Sequence, residues 1–94
     1  MTQIKVRPVE HKVVPRDMVG HLGVSPADAK SHFGHQPEVA VVKVVDASGQ
    51  KLTVVGDAGH WKALLASGEA RDREGVFLSR EQWPVLLRGW VQAG

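Results

Sequence analysis

Positive side chains crowd the start of this chain. In residues 1–16, Lys5, Arg7, Lys12 and Arg16 stand against Glu10, four cations to one carboxylate, so the segment carries +3. The whole 94-residue chain carries +2, which leaves −1 for the other 78 residues. Cations spaced along an extended arm can follow a phosphate backbone, and arginines such as Arg7 and Arg16 can also read groove width or base edges. The same residues read equally well as a solvated edge strand whose charges prevent edge-to-edge pairing with another chain.

Histidines are the other residues with chemistry to offer. His32 and His35 are three apart, but Gly34 and Pro37 place His35 beyond a helix end, and His21 or an acid would have to supply a third ligand. With Cys 0 and no H-E-x-x-H pattern, no metal and no cofactor are expected. No nucleophile motif, phosphate-cradling glycine loop or motif-placed acid pair occurs, so neither an enzyme nor a small-molecule substrate is expected. Because unperturbed imidazoles titrate near 6.5, 5 His make any charge-governed binding depend on pH. Among the three tryptophans, Trp61 and Trp83 read as core. Trp90, seven residues beyond Trp83 and so on the same buried face of a helix, also reads first as core, and it is at the same time the candidate contact for a protein partner or homodimer, with Arg71 and Arg73 in the charged stretch Gly68 to Gly75 as companions.

The elements that must position these residues follow from composition and pattern. At 43% hydrophobic and 23% charged, the chain reads as one globular domain, residues 1–94, held by its apolar core without disulfides. A cytoplasmic protein is expected, with no signal peptide and no membrane span, since the longest apolar run is Val39-Ala40-Val41-Val42. Residues 1–15 are rich in valine and interrupted by Pro8, which predicts a basic arm or edge strand. A helical corner spans 16–34. Its first helix runs from Arg16 to Leu22 and stops at Gly23, and its second runs from Pro26 to about Phe33, with Ser25 as N-cap and Asp28 in the first turn. A β-hairpin spans 38–56, and its first strand, EVAVVKVVD, is apolar on both faces and so belongs in the middle of a sheet.

Residues 52–92 predict a duplicated β-α unit. VVGDAGHWKALL (Val54 to Leu65) and VFLSREQWPVLL (Val76 to Leu87) match in residue type at an offset of 22. In the second copy Ser79 and Gln82 resemble a capping box, and Trp83, Leu86, Leu87, Trp90 and Val91 form a helical stripe, with Pro84 beyond the first turn expected to kink it. The fold class is α+β: an N-terminal arm or strand, two short helices, a hairpin, and the duplicated unit with its helices on one face of a small sheet.

The stretch PRDMVGHLGVSPAD, Pro15 to Asp28, resembles the helix-turn-helix written L-G-V-S-P-A in many bacterial regulators. Through Val14, Pro15, Met18, Leu22, Gly23, Val24 and Asp28 it also resembles the AbrB-like swapped-hairpin regulators and antitoxins. Either resemblance implies DNA binding by a small dimeric regulator or antitoxin-like protein. Lys5, Arg7, Lys12, Arg16 and Lys30 would then contact phosphates, and Ser25 would cap the docking helix. The stretch also reads as a capped corner with no nucleic-acid role. In that case the alternative function is a protein-protein interaction or inhibitor module of bacterial or phage type, acting without DNA through the Trp90 end or the Arg71 to Glu74 loop.

Overall fold

Nine consecutive residues rich in valine give the molecule its centre. A computed structural model describes residues 3–71 and 73–91, and in it Glu38–Asp46 forms β2, the middle strand of five. β1 (Gln3–Pro15), β3 (Lys51–Asp57), β4 (Val76–Ser79) and β5 (Val85–Arg88) complete an antiparallel sheet of order β4-β1-β2-β3-β5. Successive side chains of a strand point to opposite faces. Ala40, Val42 and Val44 therefore enter one core layer while Val39 and Val41 enter the other.

Each layer has its own cover. Over the first lie α2 (Ala58–Ser67), through Trp61 and Leu64, and the loop tryptophan Trp83. Over the second lie the 3₁₀ segment Arg16–Leu22 and α1 (Pro26–Phe33), through Val19, Leu22, Val24 and Phe33. The helical corner has the expected bounds: Gly23 ends its first segment at φ 94, and the Ser25 hydroxyl accepts from the Asp28 amide at 3.1 Å. Arg16–Leu22 is a 3₁₀ segment, and the helical corner covers the face opposite the one that α2 covers.

Only the first copy of the expected duplication forms a β-α unit. After β3, Asp57 caps α2 by accepting from the Gly59 amide at 3.1 Å. After β4 the same kind of start aborts. The Gln82 amide donates to the Ser79 hydroxyl and the Trp83 amide to the Ser79 carbonyl, but Pro84 has no N–H with which to continue. Val85, Leu86 and Leu87 instead complete the ladder along β3, with Leu86 on the first core layer and Val85 and Leu87 on the second. The first two residues of the expected arm and the last residue of the expected duplicated unit, 92, lie outside the described residues.

β1 is neither a free arm nor a plain edge strand. Residues Gln3 to Val6 pair with β4, Val6 also pairs with β2, and beyond Val6 the register continues with β2 alone. Pro8 lies where the register shifts, with Val9 the extra residue between Pro8 and Glu10, as suits a residue that cannot donate to a ladder.

Residues 80–84 join the two outermost strands. In a flat sheet these would lie four spacings apart, roughly 19 Å, close to the limit of a fully extended link of this length. The link is a turn, so the sheet curls to bring its edges together. Trp83 fills the resulting gap, 1% exposed and 5.8 Å from Trp61 edge to face. The Gln82 carbonyl accepts from the Asp57 amide at 3.3 Å and ties the link to the end of β3. Glycine is required at Gly56, where a Cβ would come within 2.6 Å of the Trp83 ring.

Candidate nucleic-acid interface

Strand alternation would put Lys5 and Arg7 on one face of β1 and Lys12 on the other. The bulge at Val9 reverses that. One extra residue flips the side chains beyond it, so Lys12, opposite Val41, joins the face that Lys5 and Arg7 occupy, which is the face of the second core layer. Two neighbouring strands add Lys43, opposite Glu10, and Lys51, opposite Val45, to the same face. α1 and the 3₁₀ segment cover the half of this face nearest Pro15 and leave the half around Lys5, Arg7 and Lys51 open.

Five cations thus gather around one carboxylate. Glu10 bonds Lys43 at 2.7 Å, and this contact, first as a hydrogen bond and then as a charge pair, holds the Glu10 carboxyl below the ordinary carboxylate range. Glu10 therefore stays ionised and neutralises Lys43. Lys5, Arg7 and Lys51 remain exposed at the surface.

Two aromatic rings flank these cations. Phe77 lies opposite Lys5 on β4 and is 60% exposed, although its neighbours Val76 and Leu78 are buried. The Lys5 ammonium stands 5.5 Å from its ring centre. At the other side Trp90 is 38% exposed, with the Lys51 ammonium 4.7 Å from its ring. The Trp90 indole N–H donates to the Val44 carbonyl at 3.2 Å. Its backbone neighbours are fastened by buried Thr53, whose hydroxyl donates to the Gly89 carbonyl and accepts from the Val91 amide. Trp90 is therefore a half-exposed ring held at a fixed place, not a core residue.

Beside the open half, Lys5, Arg7 and Arg73 line one cleft at the hairpin end, together with Asp46 and Glu74. The Asp46 carboxylate is occupied by the turn: it accepts from the Ser48 hydroxyl at 2.8 Å and from the Ser48 and Gln50 amides at 3.0 and 2.7 Å. Those bonds, the Ser48 hydroxyl foremost, lower its titration and keep it charged.

The other residues nominated from the sequence sit elsewhere. The Arg16 guanidinium donates to the Gly34 carbonyl at 2.8 Å and lies 3.7 Å from Asp17, clamping the end of α1 to the end of β1. Ser25 spends its hydroxyl on the helix cap. Lys30 lines a cleft with Arg16 between α1 and the 3₁₀ segment. Arg71 ends a short 3₁₀ turn, Glu69–Arg71, and borders a groove with Pro8, His11 and Trp61. In that groove the Trp61 indole N–H donates to His11 Nδ1 at 3.1 Å.

Sequence reasoning missed Lys43, Lys51 and Phe77. Signals for them existed: Lys43 is the one break in an apolar strand, and simple alternation in VFLS turns Phe77 away from buried Val76 and Leu78. Among the described residues, no group of three or more His, Asp or Glu could hold a metal ion, and no helix is long and apolar enough to cross a membrane. No family model matches the chain, and neither a curated protein nor a solved structure matches it.

Proposed function

We propose that this protein is a small, non-enzymatic nucleic-acid-binding module, a DNA-binding regulator or antitoxin-like protein, that contacts its ligand through the open half of the sheet. The observation that carries this reading is the charge on one face. Lys5, Arg7, Lys12, Lys43 and Lys51 around Glu10 concentrate a net +4 where the whole chain has only +2. Cations on a fixed strand scaffold suit phosphate contacts, which supply most sequence-independent affinity for nucleic acid.

The contact set differs from the one that the helical-corner resemblance implies. Arg16 and Ser25 have structural partners, so phosphate contacts fall to Lys5, Arg7, Lys51 and Arg73. Fluorescence anisotropy with a labelled 20-nucleotide oligonucleotide, supplied both single-stranded and as duplex, tests the proposal. At low salt at least one form should bind with Kd on the order of 10⁻⁴ to 10⁻⁶ M, and Lys5→Glu with Arg7→Glu should abolish binding. Failure of both forms to bind below about a millimolar overturns the reading in favour of a protein-interaction module.

A further inference from the structure

We infer that the open sheet face takes an unpaired polynucleotide rather than a duplex, with bases stacked on Phe77 and Trp90; this rests on the nucleic-acid reading above. Both rings keep a large part of their apolar surface in water: Phe77 is 60% exposed on a strand whose other apolar residues are buried, and Trp90 is 38% exposed. A lysine ammonium stands over each ring, at 5.5 Å for Phe77 and 4.7 Å for Trp90.

Magnitudes decide what those lysines do. A cation over an exposed ring is worth roughly a two- to fivefold preference, whereas a nucleobase stacked on an aromatic side chain is worth roughly 5- to 160-fold. A base therefore displaces the ammonium. Lys5 and Lys51 hold the ring faces in the empty protein and become phosphate ligands in the complex.

The spacing fits a strand of several nucleotides. Phe77 belongs to β4 and the Lys51 ammonium of β3 stands over Trp90, three strand steps away, a path of roughly 14 Å along the curled sheet. Bases stacked at about 3.4 Å per step need about four steps to cover that distance. The two rings therefore hold non-adjacent bases of a site about five or six nucleotides long, within the range known for sheet-based single-strand binders.

A duplex finds no comparable partner. Its bases are sealed in the stack, so a ring on the sheet reaches them only by wedging between base steps and kinking the duplex, an unstacking cost that an unpaired strand does not carry, and reading by a helix in the major groove would call for cations on that helix. α1 carries one Lys or Arg, Lys30, with Asp28 in its first turn, and α2 carries one, Lys62, which lies 4.0 Å from Glu38.

Anisotropy titrations of the full chain with labelled oligo-dT of 4, 8 and 12 nucleotides, oligo-U of 12, and a 12-base-pair duplex test the inference. Affinity should rise between the 4-mer and the 8-mer and then level off, and the 12-mers should bind at least roughly tenfold more tightly than the duplex. The oligo-dT and oligo-U arms separate DNA from RNA as the source, and tighter binding of either supports the inference. Phe77→Ala, at an exposed position, should weaken single-strand binding roughly 5-fold or more. Trp90→Ala should do the same, and Lys62→Ala, on the opposite side of the sheet, should have no effect. A duplex bound as tightly as the single strands overturns the single-strand inference and leaves the nucleic-acid reading standing, as does a Phe77→Ala variant with unchanged affinity. Binding of none of the ligands overturns both.

Discussion

Replacing Gly56 by alanine should loosen the curl that builds the open face. A Cβ at this position would come within 2.5 Å of the Gln82 carbonyl oxygen and 2.6 and 2.7 Å of two Trp83 ring carbons. Carbon atoms in contact prefer about 3.5 to 4.0 Å, so the overlap is on the order of 1 Å. Gly56 does not occupy the positive-φ region, so the backbone accepts alanine and the whole effect is steric. Either Trp83 withdraws or the end of β3 moves, at about 1–3 kcal/mol for overpacking. Complete loss of the tryptophan would set the ceiling at about 3–5 kcal/mol. A destabilisation of about 2 kcal/mol is expected, read as a lower urea midpoint at unchanged slope, with tryptophan fluorescence and circular dichroism moving together. The pair should also couple. With Trp83→Leu in place the overlap with the indole ring disappears and only that with the Gln82 carbonyl remains, so Gly56→Ala should cost less by about 1 kcal/mol, the interaction energy of residues in direct contact. Additive effects in that double-mutant cycle, or a cost for Gly56→Ala below about 0.5 kcal/mol, would refute Trp83 as the plug between the sheet edges.

Three further substitutions have expected outcomes. His11→Ala removes the acceptor of the buried Trp61 indole N–H and should cost about 1 kcal/mol or more in urea unfolding, while His11→Gln, which keeps an acceptor, should recover part of it. Because Lys43 lowers the Glu10 titration in the folded state, the stability that Glu10 contributes is present above the ordinary carboxylate range and is lost as pH falls through its lowered value. Unfolding midpoints of wild type and Glu10→Gln should therefore differ at about pH 7 and converge as pH falls through the lowered Glu10 titration. Ser25→Ala deletes the α1 cap and should lower stability by about 1 kcal/mol with oligonucleotide affinity unchanged, whereas docking through the helical corner would require both to fall.

Local chemistry made much of this fold legible. Ser25-Pro26 at the start of α1, Asp57 before α2 and the doubly apolar strand Glu38–Asp46 each announce an element within a few residues, and each forms as the sequence implies. Residues 79–91 defeat such reading because two periods coexist there. Trp83, Leu86, Leu87 and Trp90 suit a helix, while the alternation of Val85, Leu86 and Leu87 suits a strand with two buried faces. The free edge of β3 and the missing Pro84 amide decide between them, and the former is a tertiary fact. The same holds for β1, whose pairing with β4 joins residues 70 to 76 positions apart.

The candidate site was legible only in part for a related reason. Lys5, Arg7 and Lys12 stand out as a basic cluster in any reading, but that they share a face depends on the bulge at Val9. Lys43, Lys51, Phe77 and Trp90 join them only through the register of four strands and the Thr53 bonds that fasten Gly89 and Val91.

Salt dependence of oligonucleotide binding tests the role of the sheet face most directly. Four phosphate contacts, by Lys5, Arg7, Lys51 and Arg73, imply a slope of log affinity against log salt of about −2.8 for a single strand. Affinity for a 12-nucleotide strand should then fall roughly 50-fold between 50 and 200 mM salt in wild type, and only about 7-fold when Lys5→Ala and Arg7→Ala remove two contacts. Equal slopes for the two proteins would contradict binding through this face.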